Sequence, residues 1–232
     1  MPNLPSSFVL EPLHEMWLLC AFKNAPHNRK MPHRKMDIGF TIITRTSARP
    51  HFFARCRASV LAQTYKNYFH LIVSDDPADH YPEGDFVALV EQLPGRGHNL
   101  YFNEAARYIP ASHPWVIFLD DDDQFTTPDA LERIAAAIDT DDDMALWQVQ
   151  FPHGLIPGDM AGLPPQAGNI TGIGFCYHYK NWCNWLATSY GDFYVINKLY
   201  HTLRPVWLHE VLTGLQSVPG LGLRVDLTES AA

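Results

Sequence analysis

Four consecutive aspartates, Asp120 to Asp123, stand directly behind the apolar run Trp115-Val116-Ile117-Phe118-Leu119. An unbroken apolar run of that kind suits a strand buried on both faces, which puts the acids where the strand emerges. Carboxylates packed this closely repel one another, and each raises its neighbours' pKa. A divalent cation with an anionic ligand would relieve the repulsion. The block is therefore the first place to look for chemistry.

The pattern around it is α/β. Residues 38–44 form a β-rich apolar run, followed by a polar turn over 45–50. Residues 51–62 then carry Phe52, Phe53, Cys56 and Val60 at helical spacing. Residues 69–74 predict a second strand ending in Asp75-Asp76. Short helices are expected over 86–93 and 99–109. After the acid block Thr127 suits an N-cap, Pro128 the first helical position and Asp129 the first turn. Leu131, Ile134, Ala135 and Ile138 form that helix's buried stripe. Residues 144–151 return as a strand.

Strands alternating with helices imply a mostly parallel central sheet flanked by helices. Ligands of such sheets sit beyond the strands' carboxyl ends, where both acid clusters fall. The two clusters are expected to wall one cleft.

Residues 1–36 differ from the rest. They are rich in Pro, His and Asn, and they end in a basic segment over 28–35. They are expected to form a poorly ordered leader with one short helix around 13–22. The basic segment suits either a solvated linker or peripheral contact with anionic lipid. The domain is expected over 37–232, in two halves, 37–151 and 152–232. The second half is rich in Gly, Pro and aromatics, as befits loops over a cleft. Residues 192–199 should resume regular structure, and Gly220-Leu221-Gly222 marks a late turn.

A net charge of −8 argues against a nucleic-acid partner. The four scattered cysteines form no CxxC, which fits a reducing, cytoplasmic setting better than a disulfide framework. No apolar run is long enough for a transmembrane segment.

Several motifs together resemble family 2 glycosyltransferases. Residues 41–50 (TIITRTSARP) and 59–65 (SVLAQTY) resemble that family's opening. Ile72-Val73-Ser74-Asp75-Asp76 is similar to its second strand, and Phe118-Leu119-Asp120-Asp121-Asp122-Asp123 to its DXD element. The order and spacing of the four motifs make the likeness specific over residues 38–140.

The resemblance implies a GT-A-like nucleotide-diphospho-sugar transferase fold and a divalent metal, Mn²⁺ or Mg²⁺. It implies a nucleotide-diphospho-sugar donor, commonly a UDP-sugar, inversion at the anomeric carbon, and a glycan, lipid-linked or protein acceptor. It sets Thr44, Arg45 and Arg49 against the nucleotide, and gives Asp75 or Asp76 a hydrogen bond from the base. Asp120 and Asp122 become the DXD pair, with Asp122 the first choice as direct metal ligand. Gly191-Asp192 resembles a later acidic motif, often Glu-Asp, and Asp192 becomes the base. Ser47-Ala48 and Gly191 depart from the residues often found at those places.

The residues themselves leave alternatives open. His178 suits either the metal shell, a phosphate contact or plain packing. Trp182 and Trp185 suit sugar stacking or the core. Glu210 is a second candidate base, and Asp141 to Asp143 suit a solvated turn. An EF-hand fails because Phe125 occupies the position that needs Gly. A dehalogenase-like phosphatase would want Thr or Val where Gln124 or Phe125 stands. A nucleotidyltransferase acting on sugar phosphates would show a glycine in its phosphate loop, and residues 45–49 have none. A catalytically silent nucleotide-sugar-binding module is the remaining alternative.

Overall fold

The computed structural model describes residues 37–81, 86–91 and 98–216. The expectations for the leader, its helix and basic segment, and the turn at 220–222 fall outside those residues.

The first strand, β1 (Phe40–Thr46), is buried along nearly its whole length. Gly39 precedes it because a Cβ there would lie 2.2 Å from the Ser112 carbonyl oxygen. Helix α1 (Pro50–Leu61) follows, with Pro in its first turn and Phe52, Phe53, Cys56 and Val60 turned inward. Strand β2 (Tyr68–Ser74) then pairs parallel to β1, setting Thr46 opposite Ser74.

Residues 86–89 correct the first expectation of a helix. They form a short strand, β3 (Phe86–Leu89), parallel to β2 at the edge of the sheet. Four apolar residues in a row give no helical stripe, and the exposed ladder of β2 offers them partners. Helix α2 (Leu100–Ala105) passes into one 3-10 turn, Ala106–Tyr108, within the expected 99–109.

Strand β4 (Trp115–Phe118) is fully buried and pairs parallel with β1 on the side away from β2. Strand β5 (Asp123–Phe125) grows out of the acid block. Helix α3 (Ala130–Ala137) begins later than its sequence signals suggest. The Thr127 hydroxyl bonds the Asp129 carboxylate, so the would-be capping groups engage each other. The expected stripe of Leu131, Ile134, Ala135 and Ile138 is buried.

Strand β6 (Asp143–Phe151) forms as expected, with β7 (Gly154–Ile156) folded against it. Strand β8 (Phe175–His178) runs antiparallel between β4 and β6. Helix α4 (Gly191–Thr202) covers the expected 192–199. The last described strand, β9 (Arg204–Leu215), had no counterpart in the sequence pattern. It pairs parallel with β6, but register shifts beside Trp147, Gln148 and Val149 insert extra residues, which destroys simple alternation.

The resulting order is β3-β2-β1-β4-β8-β6-β9-β5. Two apolar clusters pack on the sheet. One joins α1 and α3 to Phe40, Ile42, Trp115 and Trp147; the other joins α2 and α4 to Ile43, Phe118, Phe175 and Tyr177. Among the described residues no helix is long and apolar enough to cross a membrane.

Candidate active site

The parallel strands β1, β2 and β4 end at one edge, and both acid clusters emerge there. The chain beyond β4 stays hydrogen-bonded to β1: Leu119 N donates to Ile43 O at 3.0 Å and Asp121 N to Arg45 O at 3.1 Å. The next peptide turns, with Asp123 N on Asp120 O, and the Asp123 carboxylate accepts from Asp120 N at 3.1 Å.

That turn leaves the four acids unequally buried. Asp120 and Asp122 face outward, with side chains 24% and 15% exposed. Asp121 and Asp123 point inward and are only 2% and 5% exposed. Burial pushes the Asp121 carboxyl up to about 7 against the pull of Arg49. Burial also drives Asp123 well above the usual carboxylate range, and its acidic neighbours add to the rise.

Gln216 holds the turn from beneath. Its Nε2 lies 2.8 Å from Asp121 O, 3.2 Å from Asp123 O and 3.0 Å from Phe52 O, and its backbone N donates to Asp122 O. Two arginines hold it from above. Arg45 grips Asp120 with two nitrogens, Nε at 2.8 Å from Oδ1, and its guanidinium lies 4.1 Å from the centre of the Phe102 ring. Arg49 reaches Asp121 at 3.2 Å and Asp122 at 3.0 Å while stacked over Phe52.

Two cavities meet at this turn. The larger, about 450 Å³, is lined by Arg45 to Arg49, Asp75, His98, Tyr101 and Asp120 to Asp122. The smaller, about 250 Å³, shares Arg45, Asp120 and Asp122 and adds Asn99, Trp185 and Asp192. Asp75 accepts from the Tyr101 hydroxyl through Oδ2, and its Oδ1 is buried without a partner. Asp76 lies outside the cavity and caps its own turn through Ala78 N.

Asp192 sits in the first turn of α4, where the helix dipole favours a carboxylate. Its Oδ1 accepts from Phe193 N at 2.7 Å. Burial raises its pKa above the usual value, against those backbone hydrogen bonds and the Arg45 charge.

The fold does not bring every expected residue here. Thr44 is fully buried in β1, with its hydroxyl 2.9 Å from His70 Nε2. His178 pairs across from Trp115, at the opposite end of β4 from the acids, and lies 4.0 Å from Asp141. Neither lines the cavity, which corrects both assignments: Thr44 lies two residues before the end of β1, its hydroxyl against Cys56 and His70, and the antiparallel register of β8 carries His178 to the far end of β4. Glu210 pairs with Arg133 of α3 and lines neither cavity. Trp185 is packed on Phe102 and Phe118 in the core and also lines the smaller cavity.

Several solved structures share this fold. S. aureus TarS 1-349 in complex with UDP superposes with a TM-score of 0.63 at 19% identity, covering 78% of this chain and 61% of TarS 1-349. The same protein with UDP-GlcNAc gives 0.63 at 16%, covering 79% and 60%. The mannosyltransferase PcManGT from Pyrobaculum calidifontis, in complex with GDP-Man and Mn²⁺, gives 0.58 at 14%, covering 83% and 62%. The chain thus spans about 60% of the length of these proteins. Comparison with curated protein sequences gave no significant match. The family profile for glycosyl transferase family 2 matches residues 41–158, just over half of the chain. The chain belongs to glycosyl transferase family 2. Its sheet, mostly parallel and flanked by helices, is the GT-A-like fold of those enzymes.

Family 2 membership raises the question of a divalent metal. Among the described residues no three His, Cys, Asp or Glu side chains are arranged to hold an ion. Asp122 lines both cavities, with its Oδ2 3.0 Å from an Arg49 nitrogen. One or two carboxylates completed by substrate phosphates is the ordinary environment of Mg²⁺. The donor set therefore fits a cation that arrives with a diphosphate.

Sequence reasoning missed Gln216 and Asn99, whose partners lie far along the chain.

Proposed function

We propose that this protein transfers a sugar with inversion from a nucleotide-diphosphate donor, a UDP-sugar in the first instance, to an acceptor hydroxyl. The observation that carries this reading is the pair of cavities meeting at Asp120 and Asp122, with Asp75 in one and Asp192 in the other.

In the larger cavity the unpartnered Oδ1 of Asp75 suits an N–H donor, as the uracil ring offers. The complexes of TarS with UDP and UDP-GlcNAc support that choice. Arg45 and Arg49 present guanidinium groups to the diphosphate. Asp122, with Asp120 beside it, would hold Mn²⁺ or Mg²⁺, which supplies charge neutralisation to the departing diphosphate.

The smaller cavity receives the acceptor, whether glycan, lipid-linked or protein. Asp192 takes the proton of the attacking hydroxyl, as a general base worth roughly 10²–10⁴ in rate. Its raised pKa suits proton uptake, and the proton passes to water when the product leaves. The described cysteines, Cys56, Cys176 and Cys183, are free and buried, which supports a cytoplasmic setting.

A screen of nucleotide sugars by thermal shift, with and without Mn²⁺, tests the proposal. A transferase of this kind prefers one nucleotide diphosphate and needs the metal. A response to nucleoside triphosphates instead would favour nucleotidyl transfer.

A further inference from the structure

Asn99 occupies the N-cap of α2, where an Asn side chain ordinarily accepts from the helix's own N–H groups. It makes no such bond. Its amide is turned in two other directions. Oδ1 accepts from Arg45 Nη1 at 3.2 Å, and Nδ2 donates to the Thr188 carbonyl at 3.1 Å.

Each end leads to a working group. Arg45 uses its other nitrogens to grip Asp120. Thr188 O also accepts from Gly191 N at 3.0 Å, one residue before Asp192. Leu186 and Tyr190 are exposed, so the loop that leads to Asp192 has little apolar packing of its own. The amide bridges the acid turn and that loop.

Gly191 carries the same message in reverse. A Cβ there would lie 2.4 Å from Asn99 Nδ2 and 2.7 Å from the Leu186 carbonyl. The Asn99 amide fills the volume that a side chain at 191 would need. The departure from Glu at this place and the presence of Asn99 are one arrangement.

We propose that Asn99 is a positioning residue that fixes Asp192 relative to Asp120 by tying the 186–192 loop to Arg45. The inference rests on the reading of Asp192 as the base. It assigns Asn99 no contact with the reacting atoms. Its effect is on placement, where an error of about 1 Å can cost on the order of 10²-fold in rate.

The test compares Asn99→Asp with Asn99→Leu. The first keeps an acceptor for Arg45 but cannot donate to Thr188 O; the second removes both bonds and serves if the added charge disturbs folding. Hydrogen exchange is read first, without substrate. Amides of residues 186–192 should exchange about 3–10-fold faster in both variants, with the rest of the protein unchanged. With donor and acceptor, kcat should fall by about 10–100-fold at an unchanged donor KM.

Unchanged protection of 186–192 would overturn the tie, and faster exchange with unchanged kcat would overturn its role in turnover. A loss carried by donor KM would also overturn it, by making Asn99 a donor-binding residue. Wild-type protein that transfers no sugar would sink the functional reading, while the exchange data would still decide the tie.

Discussion

Arg45 and Asp120 meet side-on, Nε to Oδ1 at 2.8 Å, in the wall that the two cavities share. Arg45 is the last residue but one of β1 and Asp120 follows β4, so the parallel pairing of the two strands brings the residues together. Such bidentate pairs are geometrically specific as well as strong. This one makes the walls of the two cavities parts of one structure.

Asp192→Asn removes the proposed base, which lines the smaller cavity and not the larger. Transfer should fall by roughly 10²–10⁴-fold with donor affinity retained. In wild-type protein the rate should drop as pH falls through the Asp192 pKa, which lies above the usual 3.8. Steady-state kinetics across pH check both statements. Undiminished turnover in Asp192→Asn would move the base elsewhere.

Gln216→Leu is close in size but leaves the carbonyls of Phe52, Asp121 and Asp123 without their amide donor. Denaturant unfolding should show a loss of about 2–3 kcal/mol. Donor KM should also rise, because the acid turn loses its support. Wild-type values for both would mean that the turn holds itself.

His70, bonded to Thr44, is held neutral by burial and by the nearby Arg57 charge, with its pKa lowered from 6.5 to about 3. Below pH 6.5 the unfolded chain takes up a proton that the folded chain refuses. Stability therefore falls between pH 6.5 and 3, by up to about 1.4 kcal/mol per pH unit from this group. His70→Phe should flatten that dependence in unfolding titrations at pH 5 and pH 7. An unaltered slope would assign the acid sensitivity to other groups.

The strands that end at the site were legible because they are short, apolar and followed at once by acids. Thr44 was misplaced by depth: it lies two residues before the end of β1, where Cys56 and His70 meet its hydroxyl, while Thr46 on the same face reaches the cavity. His178 was misplaced because nothing local reveals that β8 runs antiparallel and sets that residue opposite Trp115. Asn99 and Gln216 were invisible for a related reason. Asn99 bonds residues 54 and 89 positions away, and Gln216 bonds one 95 away. Only the folded chain shows such partners.

Calorimetric titration of UDP-sugar into wild-type protein and Asp122→Ala, each with Mn²⁺ and with chelator, bears most directly on the proposed chemistry. Wild-type affinity should weaken at least about tenfold when the metal is removed, the scale of losing a contact to a charged group. Asp122→Ala should bind weakly in both conditions. Equal wild-type binding with and without Mn²⁺, or full metal dependence in the variant, would contradict a cation held between this acid turn and a donor diphosphate.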